Sequence, residues 1–162
     1  MNREPKLDVI DRKILQILQS DGKTSNVDLA KRVHLSPTPC LERVRRLEEA
    51  GYIERYVALL NPRKLGMGLL AFIEISLDRT NPVAFADFRK NVADLGSVQE
   101  CHMVAGGFDY LLKVRVADMS AYRRFLGERV SALPGVSRTH TYFVMEEIKV
   151  TQELPIAAPK SK

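Results

Sequence analysis

The feature that most limits how this 162-residue chain can fold is a strand–helix–strand pattern that occurs twice in its C-terminal part. Each occurrence has an apolar strand, a helix with one apolar face, and a second apolar strand. The two helices also end alike, the first in Leu95-Gly96-Ser97-Val98 and the second in Leu133-Pro134-Gly135-Val136. The resulting order βαββαβ predicts a ferredoxin-like domain, in which a four-stranded antiparallel sheet carries both helices on one face.

Turn-forming residues separate the elements of this domain. Gly106-Gly107 lies between two apolar runs and predicts a hairpin, and Asn81-Pro82 predicts the start of the first helix. The first strand is apolar on both sides, with Leu70 and Phe72 facing away from the predicted core, so we expect a second subunit to cover that face. The predicted strands are Leu69–Leu77, Val98–Ala105, Tyr110–Val116 and Val136–Met145, and the second helix runs from about Asp118 to Ala132.

The N-terminal part has a helical period instead. A first helix is predicted before the stop at Asp21-Gly22, and Ser25 followed by Asp28 resembles a capping box at the start of a second, short helix. His34-Leu35-Ser36 is then left as a tight turn. The apolar positions that define this period are Leu7, Ile10, Ile14, Ile17 and Leu18 in the first helix and Leu29, Ala30 and Val33 in the second.

A third helix follows the turn. Pro37 and Pro39 suit its first turn, where backbone N–H groups have no intrahelical partner, and Ser36 is the predicted cap. Gly51 fits a left-handed stop. The predicted buried stripe consists of Cys40, Leu41, Val44 and Leu47, which leaves Thr38, Glu42, Arg43, Arg45, Arg46 and Glu49 on the remaining faces.

A short helix, a three-residue turn and a longer helix with arginines on its polar face form a helix-turn-helix pattern, whose second helix enters the DNA major groove. An amphipathic hairpin that only packs is the alternative. The apolar run Tyr52–Leu60 predicts a strand, and Asn61–Gly66 has the turn-forming residues of a domain boundary. We therefore predict an α+β chain with a winged-helix-like helix-turn-helix domain over residues 1–60, a linker over 61–68 and the ferredoxin-like domain over 69–162.

Charge and composition narrow the function classes. The formal net charge of +5 divides into +4 over residues 1–64 and +1 over residues 65–162, which is compatible with phosphate-backbone binding by the N-terminal part. The longest apolar run, Leu69–Ile73, cannot span a membrane and the N-terminus has no secretory apolar region, so we expect a cytoplasmic protein. Cys40 and Cys101 lie far apart without a metal-ligand pattern, so no metal or cofactor is expected.

Two other functions have weaker support. Gly66-x-Gly68-x-x-Ala71 superficially fits a dinucleotide fingerprint, but it precedes a strand instead of following one. Cys101 and His102 are neighbours on a strand and so point to opposite faces, which prevents them from acting as nucleophile and base. An RNA-binding sheet needs strand aromatics in an Arg/Lys-Gly-aromatic pattern, which the strands lack. We therefore expect no enzyme and no RNA-recognition module.

Three segments resemble the Lrp/AsnC family of bacterial transcription regulators. They are DxIDRKIL at Asp8–Leu15, LSPTPCLERVRRLE at Leu35–Glu48 and FDYLLKVRVADMSAYR at Phe108–Arg123, and the likeness extends from about Leu7 to Val150. The resemblance implies a DNA-binding regulator, associated with the nucleoid, that forms dimers and larger assemblies, often octamers, and responds to leucine or another amino acid. A chromosome-organising protein with little effector dependence is the alternative within this class.

The resemblance also assigns candidate site residues. The Gly106-Gly107 loop matches the family's effector region between dimers, where exposed backbone N–H groups suit a carboxylate and Asp109 suits an ammonium. A relative carries an acidic residue at the position of Gly107, so the identity of the amino acid stays open. The candidate DNA contacts are Ser36, Thr38, Pro39, Arg43, Arg45 and Arg46, and the candidate effector residues are Met103, Gly106, Gly107, Asp109, Met119, Tyr142, Phe143 and Val144.

Overall fold

The computed structural model describes residues 7–156; the six residues at each end, which the expected domain limits of 1 and 162 include, lie outside the described residues. The chain divides into two compact units. Among the described residues, the first unit comprises 7–59 and 150–156, and the second comprises 60–149. The C-terminal residues 150–156 thus group with the helical unit, whereas the sequence assigned them to the ferredoxin-like domain. The side-chain amide of Gln19 explains this, since it exchanges hydrogen bonds of 3.0 and 3.1 Å with the backbone of Leu154.

Three helices make up the first unit: α1 (Val9–Ser20), α2 (Asn26–Arg32) and α3 (Pro37–Glu49). They pack around one apolar cluster, in which Ile14 and Cys40 are fully buried. The predicted stripe of α3 needs one correction, because Leu41 is 38% exposed and does not belong to this cluster. The pattern of three helices with a tight turn between α2 and α3 confirms the predicted helix-turn-helix.

The helix starts differ in how they are capped. At α1 the side chain of Asp8 accepts from the backbone N–H of Asp11 and the Asp11 side chain accepts from that of Asp8, which is a complete capping box. At α2 the hydroxyl of Ser25 caps the backbone N–H of Asp28, and it also donates to the Asp28 carboxylate. The prediction that Ser36 caps α3 is wrong for its side chain, which makes no capping hydrogen bond within the described chain. A proline at the third helical position removes one N–H that such a cap would bind.

The ends of α2 and α3 share one geometry but use different residues. His34 ends α2 with φ +57°, and Gly51 ends α3 with φ +74°. Each is followed by a residue whose N–H bonds to a carbonyl five positions earlier, Leu35 to Ala30 and Tyr52 to Leu47. These are Schellman motifs, in which a left-handed residue suits glycine better than histidine. The turn between α2 and α3 therefore contains one strained residue, His34.

The predicted strand Tyr52–Leu60 is wrong for this chain. Residues 54–60 form neither helix nor strand, and most of their apolar side chains are exposed, with Leu59 79% exposed. A strand exists only when a neighbouring strand takes up its backbone hydrogen bonds, and none of the described residues does so here. Residues 62–66 then form a helical turn that ends at Gly66, φ +71°, next to the boundary of the two units.

The second unit has the predicted order of elements. Its strands pair antiparallel in the order β2-β3-β1-β4, and α5 continues into a π-helical turn, Leu126–Val130. Strands β2 and β4 each stop two residues before the predicted end. The elements are β1 (Leu69–Leu77), α4 (Pro82–Ala93), β2 (Val98–Met103), β3 (Tyr110–Val116), α5 (Met119–Phe125) and β4 (Val136–Phe143).

Both helices of this unit pack on one face of the sheet. Phe88 of α4 stacks on Tyr110 of β3 with ring centroids 4.3 Å apart, and Tyr122 of α5 belongs to the same buried cluster. The opposite face carries charged side chains, among them Lys113 and Glu100, which form a salt bridge of 2.7 Å. The predicted ferredoxin-like fold is therefore confirmed, with one face of the sheet covered by the two helices and the other face open.

Candidate functional site

The candidate DNA contacts all lie on α3 or at its start. Ser36, Thr38 and Arg45 are exposed, and Arg46 is half exposed, with 51% of its side chain accessible. Pro39 is partly buried. The structure therefore brings the six predicted residues together on one element, but it does not leave them equally available.

Their positions around the helix explain this inequality. Successive residues turn by about 100°, so Arg45 points about 160° away from the buried Leu47 and shares its outward face with Thr38. Arg43 lies only about 40° from Leu47, on the flank of the buried stripe. Arg45 enters no hydrogen bond or ion pair with any other residue of the range 7–156. The outward face of α3 thus presents one unengaged cation.

Arg43 and Arg46 bind the start of α1 instead. The Nη1 atom of Arg43 lies 2.6 Å from Oδ2 of Asp8 and 2.8 Å from Oδ1 of Asp11. The Nη2 atom of Arg46 lies 2.8 and 2.9 Å from the two carboxylate oxygens of Asp11. The Asp11 side chain is only 3% exposed, so it is the buried centre of a four-residue charge network. No local sequence pattern indicates this pairing, because the partners are 32 to 35 residues apart.

The surroundings of Asp8 and Arg43 favour the charged forms of these two side chains. Burial raises the pKa of Asp8, but hydrogen bonds from the backbone of Asp11 and from Arg43 outweigh it, and the pKa ends below its usual value. Hydrogen bonds to Asp8 and Asp11 raise the pKa of Arg43. The N-terminal end of a helix also favours the two carboxylates. Arg43 and Arg46 are therefore neutralised locally, although they count toward the positive charge of the N-terminal part.

The candidate effector residues fall into two groups in the second unit. The first group surrounds the β2–β3 hairpin: Met103 ends β2 and is 57% exposed, and Gly106 and Gly107 lie in the exposed loop. The hairpin predicted at these glycines is confirmed, since Met103 pairs with Tyr110.

The second group lies at the end of β4. The ring of Phe143 packs edge-on against Tyr122, one turn along α5 from Met119, with centroids 4.8 Å apart. Tyr142 lies on the open face of the sheet, where its hydroxyl donates to Glu74 at 3.0 Å. Val144 follows directly, and its N–H donates to the carbonyl of Leu70.

One chain does not bring the two groups together. Strands β2 and β4 are opposite edges of the sheet, three strand spacings or roughly 14 Å apart. Through the strand pairing, Met103 is level with Thr139, which is three residues or about 10 Å along β4 from Tyr142. The groups therefore occupy diagonally opposite corners of the sheet, and the hairpin loop extends beyond one of them.

Within this chain, the hairpin residues have unequal structural roles. Neither Gly106 nor Gly107 has a positive φ, and a Cβ added to either would meet nothing within 4 Å among the described residues. The chain alone therefore does not require glycine at these positions. Asp109 has a structural role, because its Oδ2 atom accepts from the N–H of Leu77 at 2.7 Å, while its own N–H donates to Ile75.

Three further observations concern the Cys101–His102 pair, metal binding and membrane spans within residues 7–156. Cys101 is half buried and His102 exposed, as expected for strand neighbours on opposite faces. No group of three or more His, Cys, Asp or Glu side chains in this range is placed to hold a metal ion. No helix in the same range has the length and apolar character needed to cross a membrane.

Comparison with known families gives two matches. The model of the Lrp/AsnC ligand binding domain matches residues 70–154, and that of the winged helix-turn-helix DNA-binding domain matches residues 7–54. The leucine-responsive regulatory proteins of Klebsiella pneumoniae and Escherichia coli K12 are each 60% identical to this chain over 150 residues. The alignment covers 93% of this chain and 92% of each relative.

Solved structures give the same result. A transcriptional regulator from Neisseria meningitidis in complex with L-Met is 42% identical, with a TM-score of 0.89 over 93% of this chain and 97% of that chain. An AsnC family transcriptional regulator from Agrobacterium tumefaciens is 39% identical, with a TM-score of 0.87 over 92% and 97%. A feast or famine regulatory protein from M. tuberculosis, complexed with L-methionine, is 32% identical with a TM-score of 0.83 over 94% and 100%.

Proposed function

Because the chain belongs to the Lrp/AsnC family, and is a transcription regulator and not an enzyme, we propose that α3 reads DNA and that an amino acid binds at the corners of the sheet. The observation that supports DNA reading best is the outward face of α3, which Thr38 and the unengaged Arg45 share two turns apart. An arginine so placed can donate two hydrogen bonds to guanine or bind a phosphate. The proposed contacts are Ser36, Thr38, Pro39, Arg43, Arg45 and Arg46.

The effector is an apolar α-amino acid. Two regulators similar to this chain have been solved with L-methionine, and Met103, Met119 and Phe143 supply apolar surface of the kind that such a side chain needs. The glycines of the hairpin leave backbone N–H groups open to a carboxylate. Leucine, for which the 60% identical relatives are named, is the other effector to test.

The separation of the two effector groups supports an assembled protein. Since they lie at diagonal corners of one sheet, a pocket that uses both must combine the hairpin of one copy with the end of β4 of another. A dimer with further assembly, up to an octamer, provides such contacts. An effector whose site is completed by two copies binds one assembly state better than another. We place this activity in the cytoplasm, on nucleoid DNA.

The DNA interface is tested by Arg45→Ala against Arg123→Ala, which removes the same charge from an exposed position on α5. Loss of a base-reading arginine should weaken specific binding about 5-fold to 150-fold, and the control should bind normally. Binding is measured by fluorescence anisotropy at several salt concentrations on a natural operator and on a random duplex. Equal affinity for both duplexes, with no effector response, would favour the chromosome-organising alternative.

The effector site is tested by comparing Asp109→Asn with Asp109→Ala. Asparagine keeps an oxygen that can accept from the Leu77 N–H but lacks the charge that an ammonium needs. Calorimetry with L-methionine and L-leucine should show about 10-fold to 100-fold weaker binding in Asp109→Asn, with an unchanged unfolding temperature. Normal effector binding by this variant would exclude Asp109 as the ammonium receptor, and a loss confined to Asp109→Ala would leave it only a structural role.

A further inference from the structure

The charge network at the start of α1 offers a way in which a buried aspartate, without touching DNA, can act on DNA binding. Asp11 holds Arg46 through both carboxylate oxygens, at 2.8 and 2.9 Å, but it engages only the Nη2 atom of the guanidinium. The Nε and Nη1 groups of Arg46 make no hydrogen bond within residues 7–156. Half of the Arg46 side chain is exposed. Arg46 is therefore held at one end and open at the other.

Arg43 is likewise engaged through a single atom, Nη1, but it differs from Arg46 in its partners and its exposure. It bridges Asp8 and Asp11 and is only 25% exposed, so it fastens α3 to α1. Around the axis of α3, Arg46 lies about 100° from the buried Leu47. This direction is between those of Arg43 on the flank and Arg45 on the outward face. The network thus contains one arginine committed to the fold and one at the border of the outward surface.

We propose that Asp11 is a positioning residue for DNA recognition, which fixes the Arg46 guanidinium from behind so that its free N–H groups meet the DNA backbone or a base edge. This rests on the proposed function of α3. A free arginine side chain loses much rotamer freedom when it binds, and a carboxylate that already orients it removes part of that loss. Asp11 itself keeps its position because it is buried and belongs to the capping box of α1.

If Asp11 positions Arg46, removal of its charge should change DNA affinity in the direction opposite to the one that simple electrostatics predicts. Asp11 is an anion close to a DNA-binding surface, so removal of its charge should strengthen binding to a polyanion if charge were all that mattered. If Asp11 positions Arg46, the same substitution should weaken binding, because Arg46 loses its fixed orientation. The direction of the change therefore separates the two explanations.

The experiment measures operator affinity and its salt dependence for Asp11→Asn, with Glu49→Gln as the charge-matched control. Glu49 is an exposed acid at the end of α3, the helix that carries Arg46, and its side chain has no hydrogen bond or ion pair in the described chain. We expect Asp11→Asn to bind roughly tenfold more weakly, and Glu49→Gln to bind equally or more tightly. Affinities are compared at a temperature where calorimetry shows every variant folded.

A double-mutant cycle shows whether Asp11 acts through Arg46. In the Arg46→Ala background, Asp11→Asn should cause no further weakening, whereas a general loss of fold would weaken both backgrounds alike. Arg46→Lys keeps Asp11 and the charge but cannot bind both partners with a planar fork, so it should bind nearly as weakly as Arg46→Ala. This variant tests the proposal even if Asp11→Asn unfolds.

The outcomes also separate this proposal from the proposed function. Unchanged affinity or tighter binding in Asp11→Asn, or equal weakening in both backgrounds, overturns the positioning role. If Arg45→Ala weakens binding while Arg46→Ala and Arg46→Lys do not, α3 still reads DNA and only the inference about Asp11 fails. If none of the arginine substitutions changes affinity, both the interface and the positioning role are wrong.

Discussion

Helix α3 and the β2–β3 hairpin differ in how much of a binding surface one chain completes. Arg43 and Arg46 of α3 are oriented by Asp8 and Asp11 of the same unit, so this part of the surface is in place before any ligand arrives. The hairpin carries Gly106 and Gly107 into open space, far from Phe143 at the other corner of the sheet. One surface is organised by contacts within its own unit, and the other, under the proposed function, is completed by another copy. This difference teaches that residues assigned to one site by sequence are not always neighbours in one chain.

The largest expected effect tests whether the two units are stabilised separately. Ile14 and Ile73 are both fully buried, one in each apolar cluster. Ile14→Ala should destabilise the helical unit by about 2–5 kcal/mol, and Ile73→Ala should do the same to the ferredoxin-like unit, because each leaves a cavity. Differential scanning calorimetry should show one transition moving in each variant. A single transition that moves equally in both would mean that the units unfold together.

A smaller effect compares a glycine that the chain needs with one that it does not. Gly51 has φ +74°, so Gly51→Ala should cost about 1 kcal/mol of unfolding free energy. Gly106 has no such φ and an empty surrounding, so Gly106→Ala should leave stability unchanged but weaken effector binding. Denaturant unfolding and calorimetric titration measure the two quantities. A loss of stability in Gly106→Ala, with effector binding intact, would make that glycine structural.

A substitution at His34 should raise the stability of the helical unit, whereas Gly51→Ala should lower it. The φ of His34, +57°, is unfavourable for a side chain with a Cβ, so His34→Gly should raise the stability of the helical unit by up to about 1 kcal/mol. Thermal unfolding of His34→Gly and of the reference substitution His34→Ala separates relief of strain from loss of the imidazole. Equal stability of the glycine and alanine variants would contradict strain at this turn.

The smallest expected effect is on the unfolding temperature of the helical unit at acid pH. The pKa of Asp8 is lowered in the folded protein, so its stabilisation is present above the unfolded value of about 3.9 and is lost as the pH falls through the folded value. The unfolding temperature of the helical unit should therefore drop less steeply below pH 4 in Asp8→Asn than in the wild type. Glu49→Gln, which lacks a partner among the described residues, should follow the wild-type curve. Parallel curves for all three proteins would remove Asp8 from the acid response.

Local patterns predicted most of the elements. β1 and β3 were predicted to the residue, and the starts of α3 and α4 at Pro37 and Pro82 followed from the prolines. These predictions succeeded because alternation, helical spacing and proline act within a few residues of one another. The cap by Ser36 failed for an equally local reason, since Pro39 has no N–H to offer.

The members of the candidate site are a prediction from the sequence, and their arrangement relative to one another could not be predicted from it. The arginines of α3 could be named from the sequence, but their division into outward Arg45, shared Arg46 and committed Arg43 depends on Asp8 and Asp11, more than 30 residues away. The failed strand at Tyr52–Leu60 has the same origin. Its apolar residues favour a strand, but pairing requires a partner strand that residues 7–156 do not provide.

The sequence by itself therefore determined the order of elements and the two kinds of core, and it named the candidate site residues, because each depends on periodicity, turn chemistry or motif. The tertiary structure decided which charges remain available, which glycine the backbone requires and that the effector residues lie at opposite corners of the sheet. Those properties depend on strand order and on contacts between distant segments, and a side chain's free energy in a site is set by what folding places next to it.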